Sequence, residues 1–459
     1  VPGFSLSRRP ADRVVPSGAT TMRIELAVLT LSLAISSASA ATIVVSKNGT
    51  FQTIQAGIDA ASAGDTVLVK AGTYAGVAFI DATKTGLVLK ASGKVVLDAR
   101  AAGGVGLGAG ILVQANDVTV RGFTVRNAAD SMVAEGDGIR VTGERVTIEN
   151  CTVRRSSDEG IDLAALDARV RKCVLIANDV GIGVDGGDGS KVEKCTFRLN
   201  RQALRSTAAD GVVATKLMIR DGGSDETIVV DGGQGFVLHD VKITDCGGIT
   251  AVIDNASASI SKIRAQRVLG GIDTKGANTV LDDIELREFR NNMTGVFIEG
   301  PNTTLSRLRV LGTSAEGVIV DASAPDCEVR DCLVAGSGLR DVANYFISGA
   351  NATLVDCVAK DAGGDAFLIE SDGVTLEGCV ALDCVRDGFD LDAGADGTTL
   401  DGCFAKNCRG EGFDNSGTNT VVVDCTAKAN RIDLANDGTL IVTDIAFATG
   451  GATTAPEID

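Results

Sequence analysis

V-T-I-E-N-C-T-V (146–153) returns as V-T-L-E-G-C-V-A (374–381) and as T-T-L-D-G-C-F-A (398–405). Apolar and polar residues alternate within each octet, which is the two-residue period of a strand with one buried face. The central residue recurs at Phe123, Cys151, Cys173, Cys195, Leu217, Val241, Ile263, Ile284, Leu308, Cys332, Cys357, Cys379, Cys403, Cys425 and Ile445, mostly at steps of 22 to 24. A second short strand follows a Gly- or Asn-rich turn, as in G-I-R-V (138–141), G-I-D-L (160–163), G-I-G-V (181–184) and G-F-D-L (388–391). The common helical repeats are longer, and the Leu/Asn consensus of leucine-rich repeats is absent. The spacing predicts an all-β parallel solenoid of about fifteen coils, stacked about 4.8 Å apart into a rod about 70 Å long. Each coil buries its apolar side only against its neighbours.

The segment T-F-Q-T-I-Q-A-G-I-D-A-A (50–61) has helical spacing at Phe51, Ile54, Ile58 and Ala61. It predicts an amphipathic helix that covers the open strand edges at the N-terminal end. Further upstream, the apolar run from Leu26 to Ile35 is too short to cross a bilayer. Met22-Arg23 precedes it and Ala38-Ser39-Ala40 follows, the layout of a secretory signal cut after Ala40. The expected division is an upstream mis-assigned segment at 1–21, a signal peptide at 22–40, a cap with the first coils at 41–103, β-helix repeats at 104–447 and a tail at 448–459. This predicts a secreted or periplasmic protein, expected to be a monomer, with no membrane span once the signal is removed.

Composition narrows the function. There is one His, two Tyr and no Trp. A multi-histidine centre and a sugar groove paved with Trp are therefore excluded. The formal charge is −17, and the 419 residues after Ala40 keep 39 basic and 58 acidic groups, a balance of −19. Such a surface repels nucleic acid and anionic lipid. It also repels a polyanionic polysaccharide unless divalent cations bridge the two.

Twelve cysteines in an exported chain ordinarily suggest disulfides. Here Cys151, Cys173 and Cys195 share one repeat position with Cys332, Cys357, Cys379, Cys403 and Cys425. In-register neighbours stand about 4.8 Å apart, wider than disulfide geometry accepts. They are read as free thiols stacked in the core as small apolar side chains. Cys246, Cys384 and Cys408 share a corner position with Asn178, Asn200 and Asn430, whose amides suit turn backbone. Cys327 fits neither row. His239 occupies a repeat position otherwise held by charged residues, which marks it as a surface histidine.

The opening F-x-T-I-Q-A-x-I-D-A-A-x-A-G-D-T-V-x-V-x-A-G-T-Y (51–74) resembles the N-terminal cap of pectin-lyase-like, right-handed parallel β-helix proteins. The resemblance implies a right-handed solenoid over nearly all of the chain after the signal. Lyases, hydrolases, epimerases, esterases and non-catalytic proteins share that fold. The hydrolase strings N-T-D, D-D, G-H-G and R-I-K are absent, as is the epimerase D-P-H.

Two acidic clusters remain. In the first, G-D-G-I-R-V aligns with D-E-G-I-D-L, placing Asp137 over Glu159 and Arg140 over Asp162, with Asp158 alongside; all are expected to point outward into solvent. The D-G and E-G pairs at these corners are also plain turn chemistry with outward, solubilising charges. Read as a site, carboxylates with one Arg suit a calcium-assisted lyase, in which Ca2+ takes oxygen ligands and acidifies the C–H beside a uronate carboxylate and Arg140 acts as base. In the second, R-D-G-F-D-L-D (386–392) stacks on G-E-G-F-D-N (410–415), pairing Asp387 with Glu411 and Asp390 with Asp414. This segment is similar to a group of pectate lyases whose D-D-G-x-D-L binds calcium, which implies ligand roles for Asp387 and Asp390. Arg386 replaces the first Asp of that motif, and Asp414 stands where its lysine base would be. Three classes stay open: a lyase-like enzyme acting on an extracellular, uronate-containing polysaccharide, a non-catalytic binding module, and a structural envelope protein.

Overall fold

The computed structural model describes residues 39–102, 109–129, 136–290, 293–337, 340–443 and 445–448. The chain divides into two units, 1–39 and 40–459. The expected upstream segment lies outside the described residues, as do nearly all of the expected signal and tail. The second unit is a right-handed parallel β-solenoid of about 17 turns. Two turns escape the sequence count because their central positions hold Gly72 and Val95, in register with Phe123, and the pairing shifts between Lys70 and Gly72 and between Lys90 and Val95. Those irregularities break the 22-residue step.

Many coils contribute three strands, as in Arg169–Arg171, Val174–Ile176 and Val180–Asp185, while in others one strand such as Val213–Arg220 runs through the first two faces. We call the surfaces they build the first, second and third faces. The third face is a continuous sheet of sixteen strands, from Ala78–Ile80 to Ile432–Asn436. Pairing is parallel and in register along it, for example Ile161 with Ile139 and Ile182.

The turns between faces are left-handed residues. Asn150, Lys172, Lys194 and Lys216, with φ of 53 to 56°, separate the first face from the second. Arg155, Ala177 and Leu199 separate the second from the third, and Asp167, Gly189 and Gly211 close the coil. This conformation is unfavourable for residues with a Cβ. It is offset because the corner N–H bonds to the next coil, as from Lys172 to the Glu193 carbonyl at 2.9 Å.

Side chains pointing inward form one continuous core. All twelve cysteines are buried and free of disulfides. Burial pushes the Cys246 and Cys327 thiols up. Asn178 and Asn200 satisfy the corner as expected: Asn178 Nδ2 donates to the Val153 carbonyl at 3.3 Å, and Asn178 Oδ1 accepts from Ser156 N at 3.0 Å. Cys327 lies in a third inward row with Thr303 and Ala352. Near the C-terminal end Tyr345, Phe367, Phe389 and Phe413 stack ring on ring, with centroids 4.7, 4.9 and 5.1 Å apart.

The capping helix is the only α-helix among the described residues, Ile54–Ala60. Thr53 caps it by accepting from Ala56 N at 3.1 Å. Ile54 and Ile58 face the first coils and are buried.

Candidate functional site

Both acidic clusters lie where a coil enters the third face. There, an acidic residue is followed by Gly or Ala and then by an inward apolar residue. In the first cluster the register sets Asp162 on Arg140, and Glu159 N donates to Asp137 Oδ1 at 3.3 Å. Oxygens of Asp137, Asp158 and Glu159 lie within 4.8 Å of one another.

Their environment departs from the expected solvated surface. Asp137, Glu159 and Asp162 are 0%, 3% and 4% exposed. An outward Cβ fixes the side of the sheet but not what packs around it. Burial, and the Glu159 and Asp162 carboxylates, push Asp137 up to about 9. Arg140 does not stand free. Its guanidinium lies 3.2 Å from Asp162 Oδ2 and 3.5 Å from Asp137 Oδ2. Arg205, two coils on, binds Glu159 and lies 3.5 Å from Asp185. Two guanidiniums thus already offset part of this cluster's charge, and Arg140 stands as a counter-ion to Asp137 and Asp162.

The second cluster is larger than the sequence indicated. Asp390 pairs in register with Asp414, and Glu411 N donates to Asp387 Oδ1. Gly410 makes room for that bond, because a Cβ there would lie 2.0 Å from Asp387 Oδ1. Asp365, one coil earlier and 3% exposed, accepts from Asp387 N at 2.9 Å. It was missed because Ala366 follows it instead of Gly, although it sits one repeat before Asp387. Oxygens of Asp365, Asp387 and Asp390 lie within 4.8 Å of one another, as do those of Asp387, Glu411 and Asp414.

Charge compensation is thinner here. Arg431 binds Glu411. Arg386 is held 3.0 Å from Asp341 and reaches only to 4.0 Å from Asp365. Asp387, Asp390 and Asp414 are half-buried. Burial and the bond to Glu411 push Asp387 up to about 8; burial and the charges of Asp365 and Asp414 push Asp390 up to about 7. Burial likewise raises Asp365 and Asp414. An all-oxygen donor set whose negative charges repel one another suits a hard divalent cation such as Ca2+. By that criterion the second cluster fits better than the first.

The register reveals a further feature that the sequence did not. The outward column of the third face runs Asp273, Phe297, Ile319, Phe346, Leu368, Asp390, Asp414. Its four apolar members are half-buried, so a strip of two Phe, an Ile and a Leu leads directly into the carboxylates. Each sits alone between inward residues, so only the stacked coils show the strip. His239 is half-buried on the first face, with Nδ1 2.8 Å from Ser261 Oγ, apart from both clusters.

Comparison with known proteins agrees with this architecture. A family described as right-handed beta helix region matches residues 109–260 and 294–447. A second, described as Pel9A-like, right handed beta helix region, matches 33–179. No curated protein matches the chain. Similar solved structures include an alginate lyase from Paenibacillus sp. str. FPU-7, at 14% identity, 54% of this chain, 98% of that chain and a TM-score of 0.36. A DFA-IIIase from Arthrobacter chlorophenolicus A6 is 12% identical over 58% of this chain and 83% of its own, with a TM-score of 0.46. A pectin methylesterase from carrot is 11% identical over 54% and 81%, with a TM-score of 0.32.

Proposed function

Because the chain belongs to the right-handed β-helix family, we propose that it acts on an extracellular polysaccharide laid along its third face. The observation that carries this reading is the column Phe297, Ile319, Phe346, Leu368, Asp390, Asp414. Sugar rings present apolar C–H faces that pack on such side chains, and aromatic rings supply contact area at low entropic cost. The carboxylates at the end of the strip supply the chemistry. Asp365, Asp387, Asp390 and Asp414 would hold Ca2+, with Glu411 at the edge. When bound, the ion neutralises a uronate carboxylate and acidifies the adjacent C–H, the requirement for β-elimination. Of the three arginines at this corner, Arg386 is tied to Asp341 and Arg431 to Glu411, whereas Arg409 is exposed and has no ion pair among the described residues. Arg409 is therefore the proposed base in place of Arg140. The signal-like segment 22–40 supports export to the periplasm or beyond.

A second reading rests on Asp387 and Asp390 themselves. Raised to about 8 and about 7, they suit a protonated acid beside an ionised base at neutral pH, the pairing that hydrolyses a glycosidic bond without a metal. One assay separates the two. The protein is incubated with polyuronates and neutral glucans, in calcium or in chelator, while unsaturated-product absorbance and new reducing ends are followed. Absorbance that needs calcium and is lost in Asp390→Asn supports elimination. Reducing ends without absorbance, in chelator, support hydrolysis. Binding without cleavage leaves a non-catalytic surface module, and neither binding nor cleavage on any polymer refutes the polysaccharide reading.

A further inference from the structure

The basic residues of this acidic chain are not spread evenly. Lys172, Lys194 and Lys216 occupy the corner between the first and second faces on three successive coils, all exposed. The flanking register, Arg171 with Glu193 and Val174 with Thr196 and Met218, stacks them about 4.8 Å apart. Arg198 and Arg220 pair in register on the adjoining second face, and Lys242 extends the patch by a coil. The outward positions between these residues hold Val174, Ile176, Thr196 and Met218, with no carboxylate among them. Arg198 reaches Asp221 at 3.8 Å. The three corner lysines, Arg220 and Lys242 have no ion pair among the described residues.

Two costs accompany this arrangement. Stacked like charges repel by about 1 kcal/mol or more per pair at surface dielectric. The corner is also left-handed, with φ of 54, 55 and 56°, where Asn and Gly are the favourable residues. The same corner holds Asn150 one coil earlier, Asp240 one coil later, then Lys262, Asp283 and Arg307, and Gly378 and Gly402 further along, so the lysine row spans three coils and ends at Asp240. Lysine on three coils in succession is therefore not selected by the turn.

We propose that the second face between Lys172 and Lys242 is a binding track for a linear polysaccharide bearing carboxylates at regular intervals, held by direct charge contacts and not through a cation. A straight row with one cation per coil matches a polymer with one anion per repeat unit. The face offers no outward aromatic side chain on which nucleic-acid bases could stack. The track is separate from the third-face carboxylates and independent of any chemistry there. Carboxylates border the track without entering its outward positions: Glu193 on the first face, Asp240 at the corner after Lys216, and Asp221 and Asp245 at the turn toward the third face.

The test measures binding of sodium polygalacturonate to the full chain in chelator, which silences cation bridging. Binding is expected, weakening as ionic strength rises. The triple variant Lys172→Asn, Lys194→Asn, Lys216→Asn is expected to bind at least tenfold more weakly while melting no lower than the parent, because Asn suits the corner. The charge-preserving variant Lys172→Arg, Lys194→Arg, Lys216→Arg is expected to retain this binding. Binding that disappears in chelator, or that survives the changes to Asn, overturns the track while leaving the third-face reading intact. Equal or tighter binding of single-stranded DNA, or of anionic vesicles, overturns the choice of partner.

Discussion

Glu159 donates its backbone N–H to Asp137 Oδ1 at 3.3 Å, and Glu411 repeats that bond to Asp387 far along the solenoid. In each case a carboxylate at the entry to the third face satisfies the backbone of the acidic residue one coil on. The clusters thus share a structural reason to exist: an entry turn that needs an acceptor. They differ in what surrounds the acceptor. Arg140 and Arg205 close the first cluster, whereas the second keeps Asp387, Asp390 and Asp414 partly open.

That difference predicts a pH dependence. Asp387 is raised to about 8 in the folded chain, against about 4 for an unfolded Asp. The folded state then binds more protons than the unfolded state across this window, so stability falls as pH rises from about 4 to about 8. Asp387→Asn keeps an oxygen acceptor for Glu411 N and removes the charge. The variant should gain about 1 kcal/mol or more at pH 8 and nothing at pH 4. Urea midpoints at the two pH values check this, and equal slopes with pH in parent and variant would refute it.

Calcium should act on the same carboxylates in the opposite sense. If the second cluster binds the ion, thermal stability at pH 8 rises with calcium, by about 2.7 kcal/mol when the ion is a hundredfold above its dissociation constant. Asp390→Asn should abolish the rise, and Asp162→Asn should not. A rise lost only in Asp162→Asn would return the site to the first cluster.

The repeat made the solenoid legible, because a 22-residue step with alternating apolar residues has few other solutions. The cysteine rows were legible for the same reason. Three-dimensional neighbours were not. Arg205 reaches Glu159 across 46 residues, and nothing local marks the pair. The strip from Phe297 to Leu368 is built from one residue per coil, and the third face repeats too irregularly to align those residues by eye. The left-handed corners held by Lys172, Ala177 and Leu199 carry no turn-forming residue type; coil stacking imposes the conformation.

The stacked interior should not tolerate a gap or a charge. Phe389 lies between Phe367 and Phe413, with centroids 4.9 and 5.1 Å away, and is fully buried. Phe389→Ala should cost about 3–5 kcal/mol from lost burial and the remaining cavity. Cys379→Asp, which puts an unpaired charge in the cysteine row, should prevent folding of the C-terminal coils. Far-UV circular dichroism and denaturant melts read both effects. Thiol titration should find the native cysteines silent and all twelve reactive after denaturation without reductant.

Arg140 provides the sharpest separation between a catalytic and a structural role. Its guanidinium lies between Asp137 and Asp162, which are 0% and 4% exposed. Removing one partner from a buried ion pair leaves a charge without compensation, a loss of about 3–5 kcal/mol for a fully buried pair. Arg140 itself is one-third exposed, so Arg140→Ala should lose less, about 1–3 kcal/mol. Asp137, already raised to about 9, would lose the one nearby charge that draws it down and remain protonated at higher pH. Arg140→Lys keeps a cation but not the two-sided reach of a guanidinium, and should recover part of the stability. Any polysaccharide cleavage by the parent should persist in Arg140→Ala below its melting temperature. Cleavage abolished with melting unchanged would make Arg140 the base and the first cluster the site.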